Sequence, residues 1–212
     1  MRTSLAIGGI LLAAAAAAPM LCNAESNIQT VSGQTATAHV DFQITVPKFL
    51  FLRVGTGSSY TTGVYTAGGS PDPITWTLTT ANVGTGSLTG SGGDIGPGTE
   101  TAALICNSGN SVTFTSTTTG PLTDTTADTI DYANITVAPV ALTAGYTLLT
   151  PPALVNGATT TTSVSGAGHV VKADAKWTFS YANSTVPAGG VYGGGGAANT
   201  GNGRVTYTAT MP

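Results

Sequence analysis

Val171-Lys-Ala-Asp-Ala-Lys-Trp-Thr-Phe-Ser-Tyr181 alternates without a break. Val171, Ala173, Ala175, Trp177, Phe179 and Tyr181 fall on one face, and Lys172, Asp174, Lys176, Thr178 and Ser180 on the other. A period of two is the spacing of a strand with one buried face. At about 3.3 Å per residue this strand spans roughly 36 Å, so its sheet runs the length of a domain. Elsewhere along the chain, strand signals recur between clusters of Gly, Pro, Asn and Ser. In Arg204-Val-Thr-Tyr-Thr-Ala-Thr-Met-Pro212, Val205, Tyr207, Ala209 and Met211 share a face opposite Arg204 and three threonines. Phe49 to Val54 is almost wholly apolar, the pattern of a strand covered on both sides. Ile74, Trp76 and Leu78 alternate with threonines, as do Val112 and Phe114. Thr129 to Val137 reads as one looser strand, and Tyr146 to Thr150 as another. No stretch beyond residue 24 holds helical apolar spacing over three turns. The expectation is an all-β fold: an antiparallel, immunoglobulin-like β-sandwich.

The first 24 residues stand apart from this fold. Arg2 is followed by an apolar stretch from Leu5 to Met20, and Cys22-Asn-Ala24 places small residues before a cut. This is the pattern of a secretory signal, too short to span a membrane comfortably. A lipoprotein leader would use Cys22, but bulky Met20 and Leu21 precede it. Residues 25–212 suit a single domain. No second apolar run is long enough for a membrane helix.

Charged residues make up 7% of the chain, against about 25% in an average soluble domain. Threonine, which favours strands, and 29 glycines take their place. Beyond the signal, five basic side chains (Lys48, Arg53, Lys172, Lys176, Arg204) face nine acidic ones. No basic patch forms, which argues against nucleic acid as a partner. Only Cys106 follows the signal, so no disulfide can close within one copy. It lies in the apolar run Thr101-Ala-Ala-Leu-Ile-Cys106 and reads as a small buried hydrophobe, with an intermolecular bond or reactive thiol as the alternative.

Catalytic patterns are missing. His39 and His169 have no Cys, Glu or second His at ligand spacing. No Gly-x-Ser-x-Gly elbow exists. Asp124, Asp128 and Asp131 could offer oxygen ligands to calcium, but their spacing is not that of an EF-hand and a solvated turn is expected. The tetraglycine 193–196 lacks the Lys-Ser/Thr of a phosphate loop. Asn134-Ile-Thr136 and Asn183-Ser-Thr185 are glycosylation sequons. Trp76 and Trp177 are expected in the core, with sugar stacking as the alternative for an exposed one. The chain is expected to be neither an enzyme nor a cofactor binder. The loops Gly55 to Asp72 and Pro187 to Gly203 are long, and the second is expected to be mobile.

Ala36 to Val46 alternates as cleanly as the strands already named. Ala36, Ala38, Val40, Phe42, Ile44 and Val46 share one face, and Thr37, His39, Asp41, Gln43 and Thr45 the other. This segment, the turn-like Val186-Pro-Ala-Gly-Gly-Val-Tyr-Gly-Gly194 and the strand Arg204 to Pro212 together resemble subunits of chaperone–usher fimbriae. The lack of an internal disulfide is closest to the cysteine-poor class of such pilins. The chain is also similar to secreted proteobacterial β-sandwich proteins of no assigned role.

The resemblance implies a sandwich short of one strand. A periplasmic chaperone would lend a strand, and an outer-membrane usher would direct assembly. The N-terminal segment of another copy would then complete the sheet by β-augmentation. Residues 25–46 would be the donor, with Ala36, Val40, Phe42, Ile44 and Val46 filling the groove. Val205, Tyr207, Ala209 and Met211 would line it, and the Pro212 carboxylate would meet basic chaperone residues. The protein would pass through the periplasm to the cell surface or a fimbrium. The competing reading makes Ala36–Val46 the first strand of a self-contained sandwich, an adhesin or binding module at the surface or in the periplasm.

Overall fold

Val171–Tyr181 forms a single strand with the predicted bounds, and the rest of the architecture is organised by it. The computed structural model describes residues 26–58, 60, 71–194 and 200–212. The expected signal segment lies outside these residues, as do most of the loop expected over Gly55 to Asp72 and residues 195–199 of the second long loop. The chain divides into two compact units, residues 1–46 and 47–212. In the first, residues 26–46 form a turn closed by Gln34 N donating to Val31 O, and no helix or strand.

The second unit is all-β. Its strands among the described residues are β1 (Leu50–Val54), β2 (Ile74–Thr75), β3 (Leu88–Thr89), β4 (Ser91–Gly92), β5 (Thr99–Cys106), β6 (Ser111–Thr117), β7 (Leu122–Thr123), β8 (Thr129–Ile130), β9 (Ile135–Val140), β10 (Thr147–Leu148), β11 (Thr159–Ser165), β12 (Val171–Tyr181) and β13 (Thr206–Thr210). β12 is the spine of a six-stranded sheet. Along one edge it pairs antiparallel with β5, from Val171↔Cys106 to Thr178↔Thr99, and then with β3. Its other edge holds β10 in parallel and β9 antiparallel. β1 extends the sheet beyond β5. Both edges of β12 are filled along most of its length, which stabilises so long a strand.

A three-stranded sheet, ordered β11-β6-β13, packs on this spine. Its inner face carries Val112, Phe114, Ser116, Val164, Tyr207 and Ala209. Its outer face is all hydroxyl. Thr117 lies in register with Thr159 and Thr206, Thr115 with Thr161 and Thr208, and Thr113 with Ser163 and Thr210. This array explains much of the threonine content, since a β-branched hydroxyl residue suits a strand with one wet face.

The core lies between the sheets. Ala102, Leu104 and Cys106 of β5, Val171, Ala173, Ala175 and Trp177 of β12, Val112 and Phe114 of β6 and Leu149 are fully buried. Cys106 is a free, buried thiol, in keeping with its apolar run. Trp177 also donates Nε1–H to Leu149 O at 2.6 Å. A buried indole needs such a partner for its N–H.

Three expectations are corrected. Thr129 to Val137 is not one strand: a 3-10 turn at Tyr132–Asn134 separates β8 from β9. That turn buries the Tyr132 ring, whose hydroxyl donates to Asn202 O at 2.7 Å. Phe49 to Val54 is covered on both faces only in part: β1 is an edge strand and each of its positions is half-buried. On its outer face, beside Arg53, Tyr60 covers Phe49 and Phe51, at ring separations of 6.4 and 6.1 Å. Of Tyr146 to Thr150 only Thr147–Leu148 is a strand.

The glycine-rich stretch before β13 is tied at both described ends. Gly193 N donates to Thr123 O, and a Cβ on Gly193 would lie 3.3 Å from Gly203 Cα. With φ at +74°, Gly193 is a position where a side chain would be strained.

Asn183 is buried and holds another crossing. It accepts from Gly84 N at 2.9 Å and donates to Asn82 O and Gly86 O at 2.7 and 3.0 Å. The second sequon is thereby closed to glycosylation in the folded protein. Asn183→Ala would orphan three main-chain groups. We expect a loss of about 2–4 kcal/mol, read from urea unfolding midpoints.

Candidate functional site

β1 and β13 end their sheets on the same side of the sandwich. β1 pairs with β5 and β13 with β6, and the two lie against each other across the core. Among the described residues neither outer edge carries a further strand. An edge strand presents a row of unpaired N–H and C=O groups, ready to accept another strand. The side chains here are covered less than those of the spine. Leu50, Leu52, Val54, Tyr207 and Ala209 pack on the core but stay half-buried, and Met211 is 41% exposed.

The predicted interaction residues fall in two places. Tyr207 and Ala209 face inward on β13, with Val205 and Met211 just outside its hydrogen-bonded span. Ala36, Val40, Phe42, Ile44 and Val46 belong to no strand. Their side chains are exposed, Phe42 at 90% and Ile44 at 86%. Four large apolar residues in a row of alternate positions, all in water, need an explanation.

The Tyr207 ring closes an aromatic cluster. It stacks on Phe114 at 5.9 Å and tilts against Trp177 at 5.1 Å. Its hydroxyl is buried and has no hydrogen-bond partner among the described residues. Burial, followed by the neighbouring Tyr132 and Glu100, pushes that hydroxyl's pKa upward.

Glu100 was not anticipated. It shares the parity of Ala102, Leu104 and Cys106, so β5 points it into the core opposite Trp177. It is 4% exposed, and neither carboxylate oxygen has a hydrogen-bond partner among the described residues. Burial first, then the carboxylates of Asp72 and Asp94, raise its pKa to about 7. A carboxyl whose folded pKa exceeds its unfolded one stabilises the protein fully below pH 4.5 and loses that contribution as pH rises through 7. In buffer free of divalent cations, unfolding free energy should therefore fall between pH 5 and pH 8, by at most about 3 kcal/mol. Glu100→Gln should flatten that slope. Unfolding curves taken across this range check it.

No family model, curated protein or solved structure matches the chain.

The remaining candidates resolve into turns and packing. His169 is an exposed turn residue with φ at +64°, and its N–H donates to Asn110 Oδ1. His39 is exposed. Asp124 accepts from Thr126 and from Asp128 N, and the Thr126 hydroxyl chiefly lowers its pKa. Asp131 accepts from Asn156 Nδ2 at 2.6 Å. Trp76 is half-buried, with Nε1–H bonded to Leu88 O and its ring tilted on Tyr181. It borders a cleft of about 290 Å³ with Thr75, Asn82 and Ser91. Among the described residues no three His, Cys, Asp or Glu side chains group to hold a metal, and no helix is long and apolar enough to cross a membrane.

Proposed function

We propose that the protein is a structural subunit whose copies join by strand donation. Residues 36–46 of one copy add to the free edge of β13 in the next. The observation that carries this reading is the pairing of an exposed, alternating apolar segment with an open, half-buried sheet edge. Each lacks what the other offers. The segment has apolar side chains at every second position and no strand partner among the described residues. The β13 edge, beside Tyr207 and Ala209, carries no further strand among the described residues. Main-chain pairing would supply affinity, and alternate side chains would set the register.

Burying Val40, Phe42, Ile44 and Val46 with the small Ala36 is worth on the order of 8–10 kcal/mol before ordering costs. Those costs are large for an unstructured segment, so the net gain is a fraction of this. Secretion, a fimbrial or surface location, and a chaperone and usher as assembly partners belong to the same reading, and rest on the fimbrial resemblance.

The test compares residues 25–212 with a version starting at Pro47. The longer chain should form concentration-dependent oligomers by light scattering, and the shorter one should not. A longer chain that stays monomeric at every concentration, and melts no differently from the shorter one, would sink strand donation. It would favour a self-contained surface module.

A further inference from the structure

We propose that Glu100 and Asp72 form a binding site for a calcium ion at the end of the core. Glu100 is almost completely buried, and both of its oxygens lack a donor among the described residues. Its two acidic neighbours are each held by one main-chain N–H. Thr56 N donates to Asp72 Oδ2, and Thr101 N donates to Asp94 Oδ1 at 2.7 Å. Gly55 lies where the Glu100 and Asp72 oxygens converge. A Cβ built on it would sit 2.6 Å from Glu100 Oε2 and closer still to Asp72 Oδ2. Gly55 also has φ at +78°, so both space and backbone require glycine there.

Charge makes the case for a cation. Burial together with Asp72 and Asp94 opposes ionisation of Glu100, and no cationic side chain figures among the influences on it. Arg53, on the neighbouring strand, directs Nη1 to Gly57 O instead. A buried carboxylate without a donor must take up a proton or a counter-ion. The converging groups are all oxygens, which selects a hard cation. Among the described residues three ligating side chains do not group here, so main-chain oxygens and water would complete the shell around two carboxylates. Calcium accepts six to eight oxygens in irregular geometry, whereas magnesium demands a near-ideal octahedron. Asp94 contributes charge rather than a ligand.

The site lies within residues 47–212, so its test is independent of strand donation. Calcium chloride is titrated calorimetrically into residues 25–212 at pH 7.5, after chelator treatment. One saturable site per chain is expected, with melting raised by about 5–10 °C at a hundredfold excess over Kd. Glu100→Gln should melt cooperatively and lose the shift, Asp72→Asn likewise, and Asp94→Asn should weaken binding without abolishing it. Binding should also weaken as pH falls from 8 to 5.5, since protons compete for Glu100. A wild-type protein that neither binds nor is stabilised by millimolar calcium overturns the proposal. So does a shift that survives Glu100→Gln, or binding that ignores pH.

Discussion

A chain cut after Thr206 will not fold. The loss removes four of the five residues of β13, leaving β6 with one neighbour instead of two. It takes away the Tyr207 ring that stacks on Phe114 and closes against Trp177. Ala209, in register with Phe114, goes as well, and so does Pro212, whose Cγ would lie 2.5 Å from a Cβ on Gly109. Losing one large aromatic core side chain costs about 3–5 kcal/mol. Removing a whole strand beside two such rings exceeds that, against a total stability of roughly 5–15 kcal/mol. The expected result is loss of the near-UV circular dichroism of the aromatic cluster and of a cooperative melt. A truncated chain that still melts cooperatively would show that the last strand is dispensable.

The largest single-residue effect should fall at Trp177. It is the bulkiest fully buried side chain, and it joins the two sheets through Phe114 and Tyr207. Trp177→Ala leaves a large cavity and orphans Leu149 O, the acceptor of the indole N–H. The cavity term is about 3–5 kcal/mol, and the unpaired carbonyl adds about 1–3. Trp177→Phe keeps a ring but loses the bond and some volume, so it should retain about half of the lost stability. Guanidinium unfolding monitored by far-UV circular dichroism distinguishes these outcomes. Equal stability for wild type and Trp177→Ala would place the core elsewhere.

Much of this fold is legible in the residues, and the exceptions have physical causes. Val171 to Tyr181 announces itself because its two faces differ sharply in polarity. β11 does not, because Thr159 to Ser165 shows one apolar residue, Val164, among hydroxyls. Its inner face works by bonding instead. Thr160 Oγ1 lies 2.9 Å from Ser116 Oγ and also donates to Ala153 O. Threonine serves a wet or a dry face equally well, so alternation disappears from view. The break at Tyr132 is hidden for a different reason. The ring hydroxyl is held by Asn202 O and the main-chain N–H of Tyr132 by Asn156 Oδ1, both remote in sequence.

The candidate sites divide in the same way. Glu100 could have been found by extending the parity of Ala102, Leu104 and Cys106 by one step, because a charge on a core face is a warning. Asp72 and Asp94 could not, since both lie outside the strands and no periodicity reports on them. Ala36 to Val46 is the subtlest case. Its period of two is that of a strand, but periodicity carries no information about which chain supplies the neighbour. In the structure these residues are exposed and pair with no strand among those described.

A synthetic peptide of residues 36–46 added to the protein starting at Pro47 isolates that question. Strand donation predicts that the peptide binds one to one and raises the melting temperature by several degrees. A control with Phe42 and Ile44 exchanged for aspartate should do neither. A peptide that binds no better than this control would contradict the account.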